Sequence, residues 1–546
     1  MTSDLTPRSF AALAAILLLS CTTTAPKPAM LDLKIINGRI LDGTGAPWFR
    51  GDLGLRGDTV AAIGDLSSAP AATTIDAAGR IVSPGFIDLL GWSHYSVLED
   101  PHLEAKVRQG VTTEVTGEGF SPGPARPGAR ERRWETLGDY LDLVDRQGSA
   151  INFALLMGAS NARQIVIGNV NRAPTAEEMR RMEAIVEQGM RDGAIGLSTS
   201  LIYVPAMYST TEEIIELARV AARHGGMYFT HMRDEGERIA QALEETFRIG
   251  REANIPVNIW HLKTAGRPNW GRMPEVIRRI EEARASGVDV AANVYPYPAS
   301  STNLATLVPD WAMEGGYGQL AERLRDPEQR RRIVDELRRQ LARRGEKGIY
   351  IARIGNSDHS MYEKKFIEEI AAMMELPPED ALVRLYIENP TPPQTIFFSM
   401  SEDDVQYALR QPFISVGADS ASPPPAVRAA GTAVHPRAYG TFARVIGHYA
   451  RDLRLFTLEE AVRKMTSQAA QRAHLFDRGI LRPGMKADII VFDPDRVRDL
   501  SRFDDPHRFS EGISHVIVNG VAVLREGEMT RALPGRTLRG RGYEGR

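Results

Sequence analysis

Between Ile81 and Ser420 the chain repeats one pattern eight times: a short apolar run that ends in glycine or polar residues, followed by a segment with helical spacing. The runs are IVSPGFIDLL (Ile81 to Leu90), TTEVTGEG (Thr112 to Gly119), INFALLMG (Ile151 to Gly158), GAIGLSTS (Gly193 to Ser200), GGMYFTHM (Gly225 to Met232), IPVNIWHL (Ile255 to Leu262), GVDVAANVYPY (Gly287 to Tyr297) and PFISVGADS (Pro412 to Ser420). Near-continuous apolar strands are covered on both faces, which in a strand–helix alternation means a parallel sheet. Stretches such as AEEMRRMEAIVEQGMRDG after Pro174 supply the covering helices. The fold class predicted is α/β, a TIM-like (β/α)8 barrel with its functional groups at the carboxyl ends of the strands. An open doubly wound sheet is the other arrangement for such an alternation, but no glycine-rich phosphate loop follows any run.

Outside the repeat the periodicity changes. Leu31 to Arg80 reads as short alternating strands divided by Gly and Asp turns, and the same grammar returns only in MKADIIVFDPD (Met485 to Asp495) and SHVIVNGVAVLREGEM (Ser514 to Met529). Residues 31–80 and 480–535 are therefore expected to pair into one small β-sandwich domain, with the barrel (81–479) inserted between them. Residues 301–400 are too long for a loop and are read as an insertion over the barrel mouth, a lid.

Residues 1–30 are a signal peptide and tether: Arg8 precedes an apolar run from Phe10 to Leu19, too short to span a bilayer, which closes on LLSC at Cys21. That arrangement resembles a bacterial lipoprotein signal with a lipidated Cys21, and it implies a place in the cell envelope on the periplasmic side, anchored to the membrane. Cys21 is the one cysteine in the chain, which excludes a disulfide framework and cysteine-based metal sites. The net charge of -3, with both signs scattered along the chain, gives no field that would attract nucleic acid. A small molecule is the partner that remains.

Four runs end in groups able to do chemistry: Glu118, His231, His261 and Asp419, on strands two, five, six and eight. In a barrel those ends converge on one mouth. Two imidazoles and a carboxylate can hold Zn²⁺ and leave one position open, and the same set suits a ferrous 2-His-1-carboxylate site. Asp419 is placed to move a proton from water to a leaving amine. Glu114, on the same strand as Glu118, is an alternative inward carboxylate. Lys263, Tyr203, Tyr295 and Tyr297 are candidates for substrate contact, and packing at the rim accounts equally for the tyrosines.

These residues, with IINGRILDGTG, IVSPGFID, VRQGVTTEV, GLSTSLIYVP, FTHMRDE, HLKTAG, VYPYPASST, HPRAYGTFARVIG and LRPGMKADIIVFDPD, give the chain a resemblance to the N-acyl-D-amino-acid deacylase (D-aminoacylase) branch of the amidohydrolase superfamily. The resemblance implies a metal-dependent barrel beside a small β domain that cleaves the amide bond of N-acyl-D-amino acids or D-amino-acid dipeptides. It implies zinc on His231 and His261, Asp419 as base, and Lys263, Tyr203 and Tyr295 as substrate contacts. Two departures stand out. The family's strand-one His-x-His is replaced by Leu90 and Trp92, with His94 the nearest imidazole; and the strand-two cysteine is replaced by TGEGFSPG, where Gly119 or Glu118 takes its place depending on the anchor. The expected site is a single zinc held by Glu118, His231 and His261. Hydrolysis of a cyclic amide or an isopeptide, and a non-catalytic ligand-binding surface lipoprotein, are the alternatives.

Overall fold

The computed structural model describes residues 30–125, 133–345 and 347–545; the apolar leader and Cys21 lie outside the described residues. Strands Phe86–Gly91, Val111–Thr116, Asn152–Leu155 with Met157–Gly158, Gly196–Ser200, Met227–His231, Val257–Ile259, Val290–Val294 and Ile414–Val416 pair in parallel in that order. The ring closes where strand eight meets strand one: Asp419 N–H donates to Leu90 O (2.7 Å) and Trp92 N–H to Ser420 O (3.2 Å). Every residue of these strands is buried, as their two-sided apolar character requires. The covering helices form for local reasons. Helix Ala176–Asp192 is opened by a capping box between Thr175 and Glu178, stopped by left-handed Gly193, and buries Met182, Val186 and Met190 on one face.

The two ends of the chain build one nine-stranded sheet. Strands Leu31–Ile40, Phe49–Arg56, Thr59–Gly64 and Ala71–Asp76 join Ile489–Phe492, Ile513–Val518, Val521–Arg525 and Glu528–Met529 over a core of Leu33, Ile35, Leu55, Val82, Ile489 and Ile517. Eight of the nine strands form one continuous hydrogen-bonded path, and Ala71–Asp76 pairs with Leu31–Ile40 off that path. The run read as the first barrel strand is in fact divided. Ile81–Pro84 belongs to the small sheet, parallel to Leu31–Ile40 and antiparallel to Ile489–Phe492, and only Phe86–Gly91 enters the barrel. Gly85 makes the switch because a Cβ there would collide with the Thr112 side chain.

Residues 300–397 contain a second small sheet, Ser300–Asn303, Gln394–Phe397, Ile349–Arg353 and Lys365–Phe366, with helices Tyr317–Arg325, Pro327–Arg344, Ile367–Met374 and Pro378–Glu388. They enclose their own core of Leu304, Leu320, Leu337, Ile351, Leu382 and Tyr386. This unit reaches the barrel mouth: Tyr203 Oη lies 2.6 Å from Thr302 Oγ1, and Arg437 Nη2 donates to Ser301 O at 3.2 Å.

Candidate metal centre

Glu118 owes its position to a bend. Gly117 (φ +104°) and Gly119 (φ +66°) are both left-handed, a conformation that side chains disfavour, so the chain turns sharply off the end of strand two. A Cβ on Gly117 would lie 2.7 Å from Leu156 O, and one on Gly119 would collide with Ser200. Ser198 on strand four clamps the bend, donating through Oγ to Gly117 O and accepting from Gly119 N–H at 3.1 Å. His231 ends strand five. His261, two residues beyond strand six, is left-handed at φ +36°, a strained conformation for a residue with a Cβ, and Asn293 Oδ1 holds its N–H at 2.7 Å.

The three side chains converge. His231 Nδ1 and His261 Nε2 lie 3.0 and 3.3 Å from one atom, Glu118 Oε1, and all three residues are buried. Among the described residues, this is the set of His, Cys, Asp and Glu side chains whose donor atoms gather within 4.8 Å of one another. A tetrahedral zinc with bonds of about 2.0–2.1 Å separates its ligands by roughly 3.3 Å, so the donors are spaced for such an ion. Burial pushes the Glu118 carboxyl up, but hydrogen bonds from His231 and His261 outweigh it and hold it at about 2.

Glu235 completes the centre from behind, and the sequence reading did not single it out. Its Oε1 lies 3.0 Å from His261 Nδ1, and its Oε2 lies 3.5 Å from His231 Nε2. A carboxylate on the far nitrogen fixes the ring and raises its basicity as a ligand. The same oxygen takes the Lys263 ammonium at 2.5 Å, and Lys263 Nζ is 2.8 Å from His261 Nδ1. Lys263, expected at a substrate carboxylate, pairs with Glu235, as a buried ammonium takes the nearest carboxylate. The signal was present in HMRDE, where Glu235 stands four residues after His231.

Asp419 is left-handed at φ +49°. Its Oδ1 accepts from Trp92 Nε1–H (3.1 Å), and its Oδ2 pairs with Arg437 Nη1 (2.7 Å). Trp92, which stands where the family has a histidine, is therefore a donor to Asp419. The Arg437 guanidinium lies 4.6 Å from the Tyr295 ring centre, and the Arg437 backbone is held by His435, whose Nδ1 accepts the Arg437 backbone N–H (3.0 Å) and whose Nε2–H donates to Ala299 O (2.9 Å). Burial and Arg437 keep His435 well below the ordinary histidine range, hence neutral. Tyr203 meets His231 edge to face with ring centres 5.5 Å apart, and Tyr295 lies 6.4 Å from His261. Burial pushes both phenols up, so both remain neutral hydroxyls.

Two sequence alternatives are not at this centre. Glu114 is bound to Ser93 N–H (2.7 Å) and Oγ–H (2.8 Å). His94 meets Thr116 Oγ1 at 2.6 Å. Strand alternation placed Glu114 inward, but Ser93, which opens the short helix after strand one, takes its carboxylate.

A (β/α)8 barrel with two histidines and two carboxylates at its mouth is the architecture of a metal-dependent hydrolase. The comparisons narrow the class. The model of the Amidohydrolase family matches residues 73–524. D-aminoacylase of Alcaligenes xylosoxydans xylosoxydans is 41% identical over 519 residues, 93% of this chain and 97% of that one. A crystal structure of D-aminoacylase superposes with a TM-score of 0.79 at 38% identity, covering 93% of this chain and 100% of that chain. N-acyl-D-glutamate deacylase from Bordetella bronchiseptica, solved with zinc and a phosphonate mimic of the reaction's tetrahedral intermediate, gives 0.79 at 35% identity, with the same two coverages. The chain belongs to the amidohydrolase family, in its D-aminoacylase branch, and is a hydrolase of carbon–nitrogen bonds other than peptide bonds.

Proposed function

We propose that the chain hydrolyses the amide bond of N-acyl-D-amino acids or D-amino-acid dipeptides, with one Zn²⁺ held by Glu118, His231 and His261. The observation that carries this reading is the convergence of two histidine nitrogens on one buried carboxylate oxygen at ligand spacing, in a chain whose Bordetella relative carries zinc. Zinc in a three-ligand site supplies a Lewis acid and brings the pKa of water to about 7. Glu235 orients the His261 imidazole. Asp419, aimed by Trp92 and Arg437, takes the proton of the attacking water and returns it to the leaving nitrogen. Arg437, across the face of Tyr295, and Lys263, beside His261, supply the cations for the substrate carboxylate. The Tyr203 and Tyr295 hydroxyls donate to the substrate.

Metal analysis of the purified protein and of His261→Ala tests the centre: about one zinc per chain, lost in the variant, is expected. A metal-free wild type after zinc-replete expression would sink the reading. Assays with paired N-acetyl-D- and L-amino acids test the substrate, and faster cleavage of the L series rejects it. We also propose that Cys21 is lipidated, on the strength of the LLSC run; the intact mass of the mature amino terminus decides this.

A further inference from the structure

Three charged side chains with no part in the reading above are sealed inside the barrel. Asp88, Lys106 and Glu114 have no exposed side-chain surface; Lys106 Nζ lies 2.6 Å from Asp88 Oδ2 and 3.2 Å from Glu114 Oε2. Two carboxylates and one ammonium out of water are weak evidence for stability. The loss of hydration rivals their mutual attraction, and apolar replacements of similar volume are often neutral or better. The remaining bonds of the cluster show what it holds. Lys106 Nζ also donates to Ser420 O (2.8 Å), and Asp88 Oδ1 accepts from Ala418 N–H (2.8 Å) and Leu90 N–H (3.1 Å). The two residues gripped at strand eight, Ala418 and Ser420, are the ones on either side of Asp419.

That grip has a physical purpose. A non-glycine residue in the left-handed region costs of order 1 kcal/mol or more and persists only where its surroundings over-determine it. At Asp419 the surroundings are Leu90 O on its own N–H, Asp88 before it and Lys106 after it. We propose, resting on the reading of Asp419 as the base, that Lys106 is a positioning residue. With Asp88 it clamps the Ala418–Asp419–Ser420 segment so that the Asp419 carboxylate stays on Trp92 and Arg437 at the barrel mouth. Glu114 belongs to the same cluster, but its bonds among the described residues go to Lys106 and Ser93 and not to residues 418–420, so it separates the clamp from the cluster's general stability.

The test compares Lys106→Met with Glu114→Gln, both measured for zinc content, Tm, kcat and KM on an N-acetyl-D-amino acid. Misplacing a reacting group by about 1 Å costs about 100-fold, so Lys106→Met is expected to lose at least about 30-fold in kcat, with zinc content and KM near wild type. Glu114→Gln is expected to lower Tm while keeping kcat within about threefold of wild type. Equal losses of kcat in the two variants, or an undiminished kcat in zinc-loaded Lys106→Met, overturn the clamp. If Lys106→Met fails to fold, Asp88→Asn decides: it keeps an acceptor for Ala418 but loosens Lys106, and an unchanged kcat in that folded variant overturns the clamp. If the wild type cleaves none of these substrates, the proposed function fails, and a crystal structure of Lys106→Met (of Asp88→Asn where that one is unfolded) still judges the clamp. Asp419 released from the left-handed region supports it; Asp419 unmoved on Trp92 and Arg437 overturns it.

Discussion

Proton and metal compete for one atom of His261, and the competition can be measured. Burial and the Lys263 ammonium work against a charged imidazole, but Glu235 and Glu118 outweigh them and raise the pKa to about 9 in the metal-free protein. Because the folded value lies above the unfolded one of 6.5, the stability gained from the charge is present below pH 6.5 and is lost as pH rises through about 9. Zinc needs the neutral ring, so its binding runs the other way. At pH 7 about one His261 in a hundred is neutral, which weakens apparent zinc affinity by about 100-fold, or about 2.7 kcal/mol, relative to pH well above 9. Competition titrations against a chelator should therefore show zinc affinity rising about tenfold per pH unit from 7 to 8.5, while Tm of the metal-free protein falls over the same range. In Glu235→Gln the histidine pKa drops and the rise flattens at a lower pH than in the wild type. A flat wild-type affinity between pH 7 and 8.5 refutes the electrostatic account of the centre.

Three further outcomes follow from the geometry. Trp92→Phe removes the indole donor to Asp419; a hydrogen bond to a charged group contributes about 1.5–3 kcal/mol, so kcat/KM should fall about tenfold or more at constant zinc content. Arg437→Met should lower kcat for every substrate, because Asp419 loses its ion-pair partner, and should raise KM at least about tenfold for substrates bearing a carboxylate while leaving the KM of the corresponding amides little changed, as paired steady-state assays would show. Gly119→Ala forces a side chain onto a backbone at φ +66° and against Ser200, and should destabilise the protein by about 2–3 kcal/mol in denaturant unfolding, with loss of zinc.

The barrel was legible because its eight short, largely apolar runs alternate with helical segments, and tertiary contact left each of them a strand. His231, His261 and Asp419 could be nominated because a barrel maps strand ends onto one mouth. The pairing partners were a different matter. Nothing in HLKTAG says that Lys263 turns back onto Glu235; that follows from loops five and six crossing behind His261. Arg437 and Trp92 are 18 and 327 residues from Asp419, and only ring closure brings both to its carboxylate. The division of Ile81 to Leu90 was hidden because both halves are equally apolar, and hydropathy does not tell a barrel partner from a sandwich partner.

Strand Ile81–Pro84 lies between Leu31–Ile40 on one side and Ile489–Phe492 on the other. Its second neighbour is roughly four hundred residues further along the chain, a pairing of the kind that forms slowly. During synthesis the small sheet therefore stays split along its centre until the last strands emerge, with one edge of Ile81–Pro84 unpaired in the meantime. Shortening the chain from its carboxyl side would not trim this sheet at a rim; it would open it through the middle, at the strand that leads directly into the barrel.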